Sequence, residues 1–494
     1  MTDEIVEAAE ESASDKPQTL EVPVVSIESE APADPEVSAV LEASAEPEAP
    51  AEPEMPAQPE ASAEPVYYKT YNCPKARQCG GCEWLAVPYP IQLERKLATV
   101  TELFEPLGVT PDPIKGMDDP TAYRAKVITP FQPGEKGRLI HGMYKAGTHK
   151  IISCPQCLVE DPQARPIFDS IAKLARKFRI KSYDEDTGHG LLRHVVVRCA
   201  AHTGQVMVTL VVNSKEFPNK KEFVRALRAE HPEISTVIFN INTHITNAVM
   251  GTRENVAYGQ GWIEDTLCGR TFRIPSQAFY QTNPRQTEVL YNIAVDLAQI
   301  QGGDRVLDAY CGIGTIGIVA VHRSRRNQHR EGAILHKKKA AKAAAKAAKA
   351  AKGKKGKASA AGDKPSVQIK PIKLVGVEST PSAVEIAAEN ALINKINGAV
   401  FIQGDAGEFL STCNDTFDVV FMDPPRAGAS EEFIQGLLKA APKRIVYVSC
   451  NPETQVRDIQ LLQDDYKVEQ VVPVDMFPHT KHVETVALLT RIAK

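Results

Sequence analysis

Long hydrophobic runs are missing from this chain. Nowhere in its 494 residues does an uninterrupted apolar stretch approach the ~18 needed to cross a membrane as a helix, which excludes a helical membrane protein. A secretory leader is missing too. Asp3, Glu4 and Glu7 stand where such a leader carries basic residues, so a cytoplasmic location is expected. Ten cysteines in a cytoplasmic chain point to metal binding or catalysis rather than to disulfides. Net charge is nearly absent, at −4, but it is unevenly spread. Residues 1–66 hold 18 Asp and Glu against the single Lys16, a balance of −17 that leaves +13 for residues 67–494. The larger part is therefore basic, as a nucleic-acid binder is, although a mild surface bias reads the same way.

Two segments have biased composition. Residues 1–66 consist largely of Ala, Pro, Glu and Ser with repeated Glu-Pro steps. Such a segment buries too little apolar surface to offset its chain entropy, so a disordered tail is expected. Residues 323–370 contain the second, in which Lys337–Lys357 holds ten Lys and no acid. Ala and Lys favour helix while like charges four apart oppose it. The expectation is a solvated, partly helical insertion that touches phosphates non-specifically, or a surface insertion with no role.

The remainder, in a chain that is 43% hydrophobic, has material for two to three domains. Residues 110–275 show β-type alternation. His194–Cys199 and Gln205–Val212 flank the turn His202–Gly204 as a hairpin would, and Ser235–Asn242 is another strand. Residues 276–494 alternate short apolar runs with helical stretches: Arg305–Asp308, Leu374–Glu378, Val400–Gln403, Phe417–Asp423, Arg444–Ser449, Val468–Asp475 and Val483–Thr490. That alternation predicts an α/β architecture with a parallel, doubly wound sheet.

Val306-Leu-Asp-Ala-Tyr-Cys-Gly-Ile-Gly-Thr315 is an apolar strand entering a glycine turn and then an apolar helix. Alone it is a weak signal for a cofactor at the first strand's carboxyl end. An acid is expected about 20 residues further on. Glu378 follows Gly314 by 64 residues, and removing the insertion of about 48 leaves about 16, so the insertion splits an ordinary nucleoside-binding unit. Asp405 follows the third strand and Asp423 ends the fourth. Each acid alone also reads as a helix cap. Cys450 stands just past the fifth run, where Asn451-Pro452 stops the strand and exposes the thiol. Arg426, in the rigid turn Asp423-Pro-Pro-Arg-Ala-Gly428, lowers the thiol pKa or holds a phosphate. If the last strand runs antiparallel, Glu484 faces Cys450 across 34 residues of sequence.

Cys73-x5-Cys79-x2-Cys82 follows the tail, and Cys154-x2-Cys157 lies downstream. Three close cysteines with a distant fourth suit an iron–sulfur cluster or zinc, and spacing does not choose between them. Cys199, Cys268, Cys311 and Cys413 read as ordinary buried residues.

The turn Asp423–Gly428, the segment Ser449-Cys-Asn-Pro452, the stretch Phe477-Pro-His-Thr-Lys-His-Val-Glu484 and Pro275-Ser-Gln-Ala-Phe-Tyr-Gln-Thr-Asn-Pro284 together resemble the RNA uracil-5-methyltransferase family. The resemblance covers residues 73–494. It implies a Rossmann-like class I methyltransferase domain with a seven-stranded mixed sheet at 276–494, a β-rich RNA-binding domain at 110–275 and an N-terminal iron–sulfur segment at 67–109. It implies Cys450 as nucleophile and Glu484 as general base. It implies S-adenosylmethionine contacts by Gln281, Tyr310, Glu378 and Asp423, with Thr315 and Asp405 as further candidates. It also implies a [4Fe–4S] cluster on Cys73, Cys79, Cys82 and Cys157, the last chosen because Cys157-Leu-Val-Glu-Asp-Pro-Gln163 matches the family; Cys154 competes. Members resembling transfer-RNA enzymes generally lack the cluster, so 23S ribosomal RNA is the favoured substrate, transfer RNA the alternative. The expected context is a monomer without membrane association. Many cluster-bearing members begin with a small RNA-binding β-barrel; here no strand pattern precedes Tyr67. A non-catalytic iron–sulfur RNA-binding protein is a different class of reading, against which Cys450 and Glu484 speak. A DNA cytosine-5 methyltransferase places its nucleophile after Pro, where Ser449 stands here.

Overall fold

A computed structural model describes residues 69–135, 138–145, 147–244, 248–351 and 370–493. The tail expected at 1–66 and the insertion residues 352–369 lie outside the described residues. Residues 69–88 run as turns into α1 (Tyr89–Phe104), which has Pro in its first turn, where a missing N–H costs nothing. Its buried residues are Tyr89, Gln92, Lys96, Val100 and Phe104, one stripe at helical spacing. Val100 and Phe104 share a core with Leu307, Tyr447 and Ile459 far along the chain. The cysteine-bearing segment therefore ends in a helix that belongs to the core of the later sheet.

The central region builds β1 (Lys126–Pro133), β2 (Leu139–His141), the short ladder β3 (Met143–Tyr144) and β4 (Ile151–Ile152), α2 (Ala164–Lys177), β5 (Leu192–Cys199), β6 (Val206–Val212), α3 (Lys220–Glu230), β7 (Ile234–Ile241) and β8 (Arg253–Tyr258). Six strands pair in the order β2-β1-β5-β6-β7-β8. β5 and β6 form the expected antiparallel hairpin. β6 and β7 are parallel because α3 supplies the crossover that parallel strands require. α2 and α3 bury Ile167, Phe168, Ile171, Phe223 and Leu227 against this sheet. The alternation reading named strands here but neither helix. A tight hairpin follows, β9 (Trp262–Leu267) and β10 (Arg270–Pro275), turned by Cys268 and Gly269 at positive φ of 50° and 71°.

The last region holds α4 (Pro284–Ala298), β11 (Arg305–Ala309), α5 (Thr315–Ala351), β12 (Lys373–Glu378), α6 (Pro381–Ile393), β13 (Val400–Gln403), α7 (Ala406–Thr412), β14 (Val419–Met422), α8 (Glu431–Ala440), β15 (Arg444–Ser449), α9 (Pro452–Gln460), β16 (Tyr466–Val474) and β17 (Glu484–Arg491). Its seven strands run in the order β13-β12-β11-β14-β15-β17-β16. β17 alone is antiparallel to both neighbours, and β11 to β15 are parallel. This is the expected seven-stranded mixed sheet. Strand order reverses between β11 and β14, the switch point at whose carboxyl edge open α/β sheets bind ligands. α5 continues for 37 residues, so the insertion is, as far as Ala351, an extension of a sheet helix. Among the described residues no helix is long and apolar enough to cross a membrane.

Candidate active site

The carboxyl edge of the seven-stranded sheet gathers most of the candidates. At the end of β11 the backbone turns through Tyr310, Gly312 and Gly314, with φ of 62°, 54° and 81°. Glu378, at the end of β12, closes this turn: its carboxylate accepts from the Gly312 N–H at 3.1 Å and the Thr380 N–H at 2.8 Å. A Cβ at Gly312 or at Gly404 would enter open space, so the edge keeps a cradle free of side chains there. Tyr310 is half-buried with its ring 5.1 Å from that of Phe433. Thr315 opens α5 and its hydroxyl lies 2.9 Å from the buried Tyr291 hydroxyl. Asp405 accepts from the Gly407 and Glu408 N–H groups at 2.8 and 3.2 Å, so the helix-cap reading describes one of its oxygens. Gln281 is set apart. It is buried beside Lys126, Arg198 and Tyr280, and no hydrogen bond among the described residues joins its side chain to the strand-end acids.

The surroundings of Cys450 follow from strand register. Ser449 of β15 pairs with Thr485 of β17, and Val474 of β16 pairs with Glu484. Cys450 and Glu484 therefore meet one step beyond the ladder. Glu484 is only 3% exposed, and burial, then the nearby Asp423, push its pKa up to about 8. Burial pushes Asp423 up to about 7. The half-buried Cys450 thiol is raised by burial, then by Glu484 and Asp423, with Arg426 pulling the other way. Arg426 was expected to lower this thiol; it does, but desolvation and two carboxylates outweigh one exposed cation. The Arg426 carbonyl accepts from the Asn451 amide at 3.1 Å, which ties the Pro-Pro turn to the segment bearing Cys450.

Several residues of the edge escaped the sequence reading. Asp308 is buried, accepts from the Gly317 N–H at 2.8 Å and is raised by burial to about 7. Asp458 accepts from the Ala429 N–H and the Tyr447 hydroxyl, both at 2.7 Å, and anchors the turn after Asp423. The loop from Asp475 to Glu484 is held from outside the sheet. Lys96 of α1 reaches the Asp475 carboxylate at 2.6 Å with both side chains fully buried, and the Tyr89 hydroxyl donates to the same carboxylate at 2.8 Å. Gln92 accepts from the His479 N–H at 2.9 Å, and the His479 carbonyl accepts from the Trp84 N–H at 2.9 Å. Two polar residues on the buried stripe of α1 were the available signal.

Five cysteines converge elsewhere. Cys73, Cys79, Cys82, Cys154 and Cys157 line one cavity with Leu85, Arg124 and Val159. Cys73 and Cys154 sulfurs lie 3.8 Å apart. Cys82 is raised to about 12, by burial first, then by Cys157, with lesser contributions from Cys79 and Cys73 and an opposing one from Arg124. Among the described residues no three His, Cys, Asp or Glu are already spaced to hold a metal ion, so the thiols share a cavity without forming a closed ligand set.

A family profile described as tRNA (Uracil-5-)-methyltransferase matches residues 373–492. The chain is 37% identical over 423 residues to an RNA methyltransferase of Staphylococcus aureus strain MSSA476, covering 84% of this chain and 83% of that one. It is 33% identical over 436 residues to an RNA methyltransferase of Bacillus cereus strain ATCC 10987, covering 87% and 84%. Among solved structures it resembles the Pyrococcus abyssi tRNA (uracil-54, C5)-methyltransferase in complex with S-adenosyl-L-homocysteine, with a TM-score of 0.63 over 84% of this chain and 86% of that chain. At 24% identity the last likeness speaks to the fold.

Proposed function

The chain belongs to the RNA uracil-5-methyltransferase family, and on that premise we propose that it methylates C5 of a uridine in 23S ribosomal RNA through a bond between Cys450 and C6 of the base. The observation that carries this reading is the ladder pairing of Ser449 with Thr485, which sets Cys450 beside Glu484. S-adenosylmethionine supplies the methyl group as an electrophilic sulfonium. Gln281, Tyr310, Glu378 and Asp423 contact it beside the glycine cradle, with Thr315 and Asp405 as further candidates. Uracil C5 is a poor nucleophile. Addition of the Cys450 thiolate to C6 pushes an electron pair through C5 toward the C4 oxygen, and C5 then takes the methyl group as the carbon–sulfonium bond breaks. Glu484 removes the C5 proton; the pair left behind re-forms the C5–C6 double bond and expels the Cys450 thiolate. A carboxyl poised near 8 suits that proton transfer.

A [4Fe–4S] cluster on Cys73, Cys79, Cys82 and Cys157 is part of the same reading and favours ribosomal over transfer RNA. Its donors suit it: thiols around one cavity, with Cys82 perturbed by the three other proposed ligands. Cys154, against Cys73, is the rival fourth ligand. Iron and sulfide analysis decides this part: Cys79→Ala loses the brown chromophore and Cys154→Ala keeps it, whereas loss in Cys154→Ala reassigns the fourth ligand.

The test of the whole is methyl transfer from labelled S-adenosylmethionine into undermethylated total RNA, fractionated before counting. Label in 23S rRNA as 5-methyluridine is the expected result. Label in transfer RNA keeps the chemistry and overturns the substrate. No label in either overturns the enzyme reading in favour of a binding protein.

A further inference from the structure

The proposed chemistry leaves one charged surface unused. Where the β9–β10 turn meets α5, a groove is lined by Arg270, His322, Arg323, Arg326 and Arg330, with Glu288 as its one carboxylate among the described residues. That carboxylate is engaged, accepting from the Cys268 N–H at 2.7 Å. Arg323 is engaged as well, with Asn292 and with Asp296 at 2.7 Å. Arg270, Arg326 and Arg330 have no ion pair among the described residues, and the Arg270 Nε is buried without a hydrogen bond inside the protein. His322 is held below the usual imidazole range by burial and by Arg270, Arg326 and Arg325 around it. Like charges crowded without counterions raise the energy of the free protein, a cost that a polyanion removes.

The arrangement is also periodic. Arg326 and Arg330 lie four residues apart on α5, one turn beyond His322, with their cations about 6 Å apart along the axis. The exposed Lys337 and Lys338 follow two turns later. From Arg326 to Lys337 the stripe spans about 16 Å, longer than one phosphate or nucleotide and suited to several successive phosphates. α5 begins at Thr315 on the cofactor edge, so His322 stands within two turns of that edge and the stripe beyond it leads away.

We propose that this groove and the α5 stripe form a second RNA-binding site, a track for the phosphate backbone outside the pocket that receives the target base. The proposal rests on the reading of the chain as an RNA-modifying enzyme. It gives the lysine-rich extension a role that sequence composition left open.

The experiment compares the full chain with Arg270→Gln/Arg326→Gln/Arg330→Gln, binding a fluorescein-labelled RNA hairpin of mixed sequence across a potassium chloride series. Each lost phosphate contact lowers the slope of log affinity against log salt by about 0.9 on a duplex, so the slope should fall by roughly two to three. Affinity near physiological salt should fall roughly tenfold or more. S-adenosylhomocysteine affinity by calorimetry and kcat at saturating RNA should stay unchanged while KM rises. An unchanged slope and affinity overturn the track. If the triple variant loses S-adenosylhomocysteine binding and hence its fold, Arg330→Glu/Lys338→Glu on the exposed side of α5 decides instead, and an unchanged slope there overturns it equally. Competition by inorganic phosphate at constant ionic strength would mark a single-anion pocket and also overturn it. Absence of uracil methylation with a reduced salt slope would sink the proposed function while leaving the track standing.

Discussion

The sheet edge around Cys450 and the cavity around Cys82 both collect reactive groups, but by different means. At the edge, strand register sets the positions: Ser449 against Thr485 and Val474 against Glu484 leave Cys450 and Glu484 adjacent, and backbone hydrogen bonds hold them there. At the cavity, loops bring five thiols from residues 73–82 and 154–157 together, and among the described residues a single antiparallel bridge, Cys79 with Lys145, is the β-pairing that any of the five makes. A ladder preorganises a site before its ligand arrives; a loop site is completed by the ligand that it binds. The edge should therefore tolerate loss of a reacting group without unfolding.

The largest expected effect tests that claim. Cys450→Ala should reduce methyl transfer by at least about 10⁴-fold and remove the covalent RNA adduct, with the thermal midpoint almost unmoved. Glu484→Gln should also stop turnover but let the adduct accumulate on a denaturing gel; absence of the adduct would deny Glu484 its place after methyl transfer. Second, Lys96→Met strips the buried Asp475 carboxylate of its cation and should cost about 3–5 kcal/mol in urea unfolding. Lys96→Met/Asp475→Leu should recover most of that loss; equal loss in both would show that the pair acts through packing alone. Third, pH separates the edge from ordinary surface acids. Glu484 is raised from 4.5 to about 8 in the fold, so the folded state retains a proton that the unfolded state releases. Its contribution to stability is present below about pH 4.5 and is lost as pH rises to about 8, by on the order of a few kcal/mol. Wild-type thermal midpoints should fall across that window more steeply than those of Glu484→Gln, while the methyl-transfer rate rises toward pH 8. Parallel midpoint curves would remove the buried acid from the account. The smallest effect concerns Asp405. Asp405→Ala should cost about 1 kcal/mol by removing the cap of α7, and Asp405→Asn should cost almost none. A large drop in S-adenosylhomocysteine affinity in Asp405→Asn would assign its charge to the cofactor as well.

Much of the catalytic sheet was legible because each strand is an apolar run closed by a turn signal; β13 and β15 have the expected bounds. The strand-end acids were legible for the same reason, since polarity changes where a buried strand leaves the core. The helical period of Ile167, Phe168, Ile171 and Leu174 was present but lost within a region read as alternating. Gln281 sat in a recognisable motif, yet a single polar residue carries no periodicity to say which cavity it lines. Burial is not written in local sequence, so the downward pull of Arg426 on Cys450 was foreseen and the larger upward push was not. Lys96 offered no local cue to its counterion, which lies 379 residues away.

That separation has a consequence for how the protein is made. Synthesis proceeds from the N-terminus, so α1 leaves the ribosome long before Asp475 exists. Until then Lys96 is an uncompensated charge on a helix whose neighbours Val100 and Phe104 are destined for a core whose last strands are not yet synthesised. The ion pair of α1 with Asp475 can form only once that late residue has been synthesised. A nascent chain released short of Asp475 therefore lacks both the buried partner of Lys96 and the strand that carries Glu484.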